Sequence, residues 1–242
     1  MLDVIRNAHG ERLDFTFHAG ARDDAGLVVI GHGVTAHKDR PFLVALAEGV
    51  ARAGIAALRI SFSGNGDSEG RFADSNITKE VEDLGAVLDA FPRHRIFYAG
   101  HSMGGAVGVL RASCDARIRG LVSLAAIVHT RAFAERTFGA LVPGRDLMLD
   151  RPGCVLTDAY LDDLRGIDSV LGPAAQIRVP WLFVHGTRDE LVPVSDTRDA
   201  FARASAPKQL VLLEGADHRF EPGFTPQMVA AVTSWCAREL RP

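Results

Sequence analysis

The sequence predicts an α/β fold: a mostly parallel central sheet with helices on both faces. Three observations predict it. Short apolar runs of strand length, such as Leu27 to Ile30, alternate with segments whose apolar residues recur at helical spacing. Those runs are continuously apolar, as expected of strands covered on both faces. Polar residues of catalytic type follow directly after four of them, after Ile30, Ala99, Val184 and Leu213. Functional groups in such sheets gather at the carboxyl ends of the strands.

The elements follow in order. Residues 11–18 alternate in the strand manner after a Gly-containing turn. Leu27 to Ile30 forms the next strand and ends at Gly31-His32-Gly33. Over 41–53, Phe42, Leu43, Leu46, Ala47 and Val50 share one helical face, and Gly54 stops the helix. Ile55 to Ile60 is a buried strand, followed by a loop, Ser61 to Gly70, rich in Gly, Ser, Asn and Asp. Val81, Leu84, Leu88 and Phe91 mark a second helix. The strand Arg95 to Ala99 leads into a helix after Ser102. Further strands are expected at Ile118 to Ala125, Val179 to Val184 and Gln209 to Leu213, with helices around 195–205 and 225–240.

Composition bounds the rest. The chain of 242 residues is 47% hydrophobic, enough for one α/β domain over 1–242 with an insertion. Its net charge of −3, with acids and bases interspersed, points away from nucleic acid and anionic lipid. The 3 cysteines, Cys114, Cys154 and Cys236, form no Cys-x-x-Cys pair, so neither a metal cluster nor a disulfide framework is expected. That usage fits a reducing, cytoplasmic setting. The N-terminus shows no signal-peptide h-region, and no apolar run approaches membrane-spanning length. A monomer and a homodimer are both compatible with these features.

The sharpest motif is Gly100-His101-Ser102-Met103-Gly104, between an apolar strand and a small-residue helix start. That context lifts one serine onto a tight turn at the edge of a sheet. A serine hydroxyl needs a base to take its proton and an acid to orient that base. Asp189, beyond the strand ending at Val184, is the acid candidate, and His218, beyond Leu213, is the base candidate. Glu190 and Asp217 are the nearby rivals for the acid. The chain order Ser, Asp, His differs from the two best-known serine-protease orders. His32 and His101 flank the motif and are expected to buttress its loops. A metal set of His32, His37 and Asp39 lacks a fourth group. The Ser61 to Gly70 loop lacks the Lys-Ser/Thr ending of a phosphate cradle.

On these residues the chain resembles the α/β-hydrolases over nearly its full length. Within them it most resembles small bacterial esterases related to cinnamoyl and feruloyl esterases. Four segments carry the likeness: His32 to Lys38, Phe62 to Gly70, Gly100 to Gly105 and Glu214 to His218. The resemblance implies an oxyanion hole made by the backbone N–H groups of Val34 and Met103. Those esterases often have an aromatic residue at the first position and a glutamine at the second. It further implies hydrolysis of short-chain or aromatic carboxylic esters through an acyl-enzyme on Ser102, without cofactor or metal. A thioesterase, a peptidase, an acyltransferase and a C–C hydrolase use the same triad, and a receptor can retain it.

The segment 127–178 exceeds what a plain crossover needs and is expected to cap the cleft. It contains Phe133, Phe138, Leu141, Leu147, Met148, Tyr160, Leu161 and Leu164, which either line a substrate pocket or pack the cap onto the sheet. Its arginines, Arg131, Arg136, Arg145 and Arg151, either form a solvated face, the preferred reading, or meet a carboxylated substrate.

Overall fold

The computed structural model describes residues 4–21, 26–205, 207–221 and 223–240. The strands are β1 (Ile5–Arg6), β2 (Arg12–Leu13), β3 (Phe15–His18), β4 (Gly26–Gly31), β5 (Ala56–Ile60), β6 (Arg95–His101), β7 (Ile118–Leu124), β8 (Trp181–Gly186) and β9 (Lys208–Leu213). The helices are α1 (Pro41–Arg52), α2 (Ile77–Ala90), α3 (Met103–Cys114), α4 (Thr130–Phe138), α5 (Asp158–Ile167), α6 (Leu171–Ala174), α7 (Val194–Arg203) and α8 (Thr225–Glu239). Seven strands make one sheet in the order β3-β5-β4-β6-β7-β8-β9. Only β3 runs antiparallel to its neighbour.

The sheet separates two apolar cores by simple alternation. Leu27 and Val29 of β4 face one core, and Val28 and Ile30 face the other. In β6, Ile96 and Tyr98 divide from Phe97 and Ala99 in the same way. α1 and α8 pack together over one face, and α2, α3, α6 and α7 cover the opposite one. Both faces being buried explains why these strands are continuously apolar.

Several boundaries shift from the sequence reading, β6 for instance running on to His101, and two of the shifts have a plain physical cause. The strand expected over 11–18 breaks at Asp14 into β2, which pairs with β1, and β3, which joins the large sheet. Asp14 spends its backbone groups on the 61–70 loop: its N–H donates to Ser68 Oγ at 2.8 Å and its carbonyl accepts from Ser61 at 2.9 Å. The strand expected at Val179 begins instead at Trp181, because Pro180 has no N–H to give the ladder.

Candidate active site

The carboxyl ends of β4, β6, β8 and β9 lie along one edge of the sheet, and the loops that follow carry the chemistry. Ser102 stands alone between β6 and α3 at φ 56°, ψ −118°. Such a conformation costs a non-glycine residue on the order of 1–3 kcal/mol and needs neighbours to enforce it. The Ser102 N–H donates to the Leu124 carbonyl at 2.9 Å, while its carbonyl accepts from Gly105 and Ile127 at 3.0 and 3.1 Å. Clearance comes from the flanking glycines. A Cβ on Gly100 would stand 2.1 Å from the Gly104 oxygen, and one on Gly104 would stand 2.4 Å from the His32 oxygen. The Ser102 hydroxyl is buried and has no hydrogen-bond partner among the described residues.

Asp189 lies in the loop after β8 with its side chain fully buried. One carboxylate oxygen accepts from the Leu191 and Val192 N–H groups at 2.9 and 2.8 Å. The other accepts from His218 Nδ1 at 2.7 Å and from His185 Nε2 at 3.1 Å. Burial pushes the carboxyl pKa up, but the two imidazoles and the backbone donors outweigh it and hold it well below the usual carboxylate range. Because Nδ1 of His218 faces this carboxylate, it carries the proton and leaves Nε2 as an acceptor. His218 and Ser102 line one cavity of about 80 Å³. Among the described residues Glu190 makes no such bond, and Asp217 accepts from the backbone of Arg219 and Glu221.

Two more histidines hold the loops, as the sequence led us to expect. Phe62 N–H donates to His32 Nε2 at 3.0 Å, so His32 Nδ1 carries the proton toward the Gly33 carbonyl at 2.8 Å. Burial lowers the His32 pKa to about 4. His101 Nε2 donates to the His218 carbonyl at 2.9 Å, and burial, then the neighbouring His218, lowers the His101 pKa to about 3. Both are therefore neutral near pH 7.

Val34 lines the cavity beside Ser102, just after Gly33, where a Cβ would come within 2.8 Å of Ser102 Cβ. Met103 is the first residue of α3, so its N–H has no intrahelical partner. Its sulfur accepts from the Tyr160 hydroxyl at 2.7 Å, which anchors α5 over the start of α3.

His185 is the residue that sequence reasoning missed. It is wholly buried, with Nε2 facing both Asp189 and the Val192 carbonyl at 3.0 Å, and Nδ1 accepting from the Thr197 hydroxyl at 2.7 Å. Two acceptors at Nε2 fix the proton there. The segment between β7 and β8 holds α4, α5 and α6. Its Phe133, Phe138, Met148, Tyr160, Leu161 and Leu164 are packed into the core, and none lines the cavity. Of its arginines, Arg131 pairs with Asp168 at 2.6 Å, Arg145 pairs with Asp146 at 2.7 Å, and Arg136 lies over the Phe133 ring. Arg151 lines the cavity, together with Arg40 and Arg219.

This sheet order and strand-end site define the α/β-hydrolase fold. Est1E from Butyrivibrio proteoclasticus with bound ferulic acid superposes with a TM-score of 0.86, covering 98% of this chain and 99% of that one at 23% identity. The family model described as Hydrolase_4, serine aminopeptidase S33, matches residues 22–151 and 152–221, and the chain belongs to that family. The monoglyceride lipase homolog of Monkeypox virus is 25% identical over 226 residues, 79% of this chain and 81% of its own length. The uncharacterized protein YfhR of Salmonella typhi is 29% identical over 169 residues, 65% of this chain. The match spans only about half, 52%, of that relative's length.

Proposed function

We propose that the protein is a serine hydrolase that cleaves carboxylic esters through an acyl-enzyme on Ser102. The observation that carries this reading is the Asp189–His218 bond of 2.7 Å beside a strained, unpartnered serine in the same cavity. His218 Nε2 takes the Ser102 proton as Oγ attacks the ester carbonyl carbon. The same proton passes to the leaving alcohol as the C–O bond breaks, and His218 then activates a water that releases the acid. Asp189, kept ionised, holds the imidazole tautomer and stabilises its charged form. The N–H groups of Val34 and Met103 receive the oxyanion; in other hydrolases, loss of one such donor costs roughly 10²–10³ in rate.

An ester is favoured over a peptide N-terminus by charge. An aminopeptidase must hold an α-ammonium group, yet three arginines and no acidic side chain line this cavity among the described residues. We read residues 127–178 as a cap, since Arg151 reaches the cavity from that segment. The likeness to a monoglyceride lipase homolog and to Est1E with bound ferulic acid supports this reading.

A fluorophosphonate probe followed by peptide mapping tests it, alongside turnover of p-nitrophenyl acetate. Labelling is expected at Ser102, and Ser102→Ala is expected to lose both labelling and turnover while keeping its circular dichroism. Turnover retained by the folded Ser102→Ala variant would overturn the mechanism. Labelling without turnover of any ester would favour a receptor.

A further inference from the structure

Three arginines from remote parts of the chain border one cavity. Arg40 immediately precedes α1, Arg151 comes from the β7–β8 insertion, and Arg219 follows His218. All three line the cavity that holds Ser102. Arg40 is half-buried and is fixed by one bond, from Nη2 to the Thr35 carbonyl at 3.1 Å. Among the described residues none of the three forms an ion pair. Other arginines are matched: Arg59, for example, reaches Asp39 at 2.6 Å. Arg40 and Arg151 continue into an adjoining groove of about 370 Å³ that is also lined by His37 and Asn65.

Arg151 and Arg219, both exposed, place two further positive charges near Arg40, while Arg219 also borders a groove lined by Glu190, Asp217 and Glu221. Burial, then the charges of Arg151 and Arg219, lower the Arg40 pKa, and the opposing effects of Cys154 and Glu221 do not restore it. Guanidinium remains charged throughout the physiological range. An anion placed between the three would relieve this repulsion and gain paired, forked N–H···O bonds.

We infer that Arg40, Arg151 and Arg219 form a carboxylate-binding rim, so that the preferred substrate is an ester that also carries a free carboxylate. This rests on the ester-hydrolase reading of Ser102. It goes beyond that reading by assigning a substrate class and the residues that select it. The rim binds the carboxylate in the ground state and aims the ester carbonyl at Ser102. Neutral esters of the same shape lack that anchor.

The test compares monomethyl glutarate with its neutral amide isostere, following methanol release. The wild-type kcat/KM is expected to favour the anionic ester by about tenfold or more, as charge-assisted hydrogen bonds imply. That ratio is expected to approach unity in Arg151→Gln/Arg219→Gln, and to shrink as salt rises from low to high concentration. A wild-type ratio of one or less, or an unchanged ratio in the double variant, overturns the rim. Calorimetry keeps the question independent of turnover. Glutarate is expected to bind wild type and to lose affinity about tenfold in the double variant, while glutaramide binds neither. Inorganic phosphate binding more tightly than glutarate would overturn the carboxylate assignment. If neither ester is turned over and the fluorophosphonate leaves Ser102 unlabelled, the hydrolase reading fails, while the glutarate titration still decides the rim.

Discussion

Asp189 is held by two imidazoles, and only His218 faces the cavity. His185 is a positioning residue: it fills the carboxylate's remaining acceptor site from behind and is itself fixed by Thr197. Without it, Asp189 keeps the Leu191, Val192 and His218 donors but loses the second donor that holds Oδ2 in line with His218. A hydrogen bond to a charged group is worth roughly 1.5–3 kcal/mol, so a loss of about tenfold or more in kcat is expected for His185→Phe. KM should stay within about threefold, because His185 touches no substrate. His185→Gln keeps a donor and should recover part of kcat. Wild-type kcat in the folded Phe variant would show that His185 serves packing alone. Ser102, Asp189 and His218 were legible as candidates because each follows a strand end in a polar loop. His185 was illegible because it sits inside β8, where one polar residue in an apolar strand has no pattern to announce its partner.

At the scale of elements, α2 carries an acid where the core should be apolar. Glu80 is fully buried; one carboxyl oxygen lies 3.5 Å from Ser75 Oγ and the other has no partner among the described residues. Burial and the nearby Asp83 raise its pKa well above the usual value of 4.5. Asp83 is better satisfied, accepting from Asn7 Nδ2 and Ser63 N–H at 2.7 Å each. Together they tie α2 to the first hairpin and to the 61–70 loop. The folded state therefore keeps a proton on Glu80 that the unfolded chain releases above about pH 4.5. This contribution is fully present below that pH and is lost as pH rises toward the folded pKa. Glu80→Gln mimics the protonated acid and removes the dependence. Its unfolding free energy in urea should gain on wild type steadily from pH 5 to 8 and match it near pH 4. Parallel curves across that range would refute a buried neutral Glu80. The same loop explains why residues 11–18 read as one strand: alternation is visible in sequence, but the long-range bonds that turn the chain at Asp14 are not.

On the scale of the whole molecule, the α/β architecture was legible because burial on both faces leaves a local mark on every strand. The grouping of Arg151 with Arg40 and Arg219 was not, since those positions line one cavity only after the sheet, the insertion and the last loop have assembled. The same assembly sets the response to acid. His32 and His101 are buried and neutral, with pKa values lowered to about 4 and about 3 from a usual 6.5. The unfolded chain takes up protons near pH 6.5 that the folded one refuses until far lower, so their contribution is complete above that pH and lost as pH falls toward 4 and 3. His18, His37 and His94 are lowered as well and act in the same direction. Glu80 acts in the opposite sense and masks part of this loss in wild type. In the Glu80→Gln background the stability should therefore fall more steeply on acidification. Adding His101→Gln, which keeps a donor toward the His218 carbonyl, should reduce the slope between pH 4.5 and 5.5 by nearly one proton, about 1.4 kcal/mol per pH unit. Unfolding free energies at closely spaced pH values measure that slope directly, and equal slopes with and without His101 would mean that its imidazole is already protonated in the folded protein.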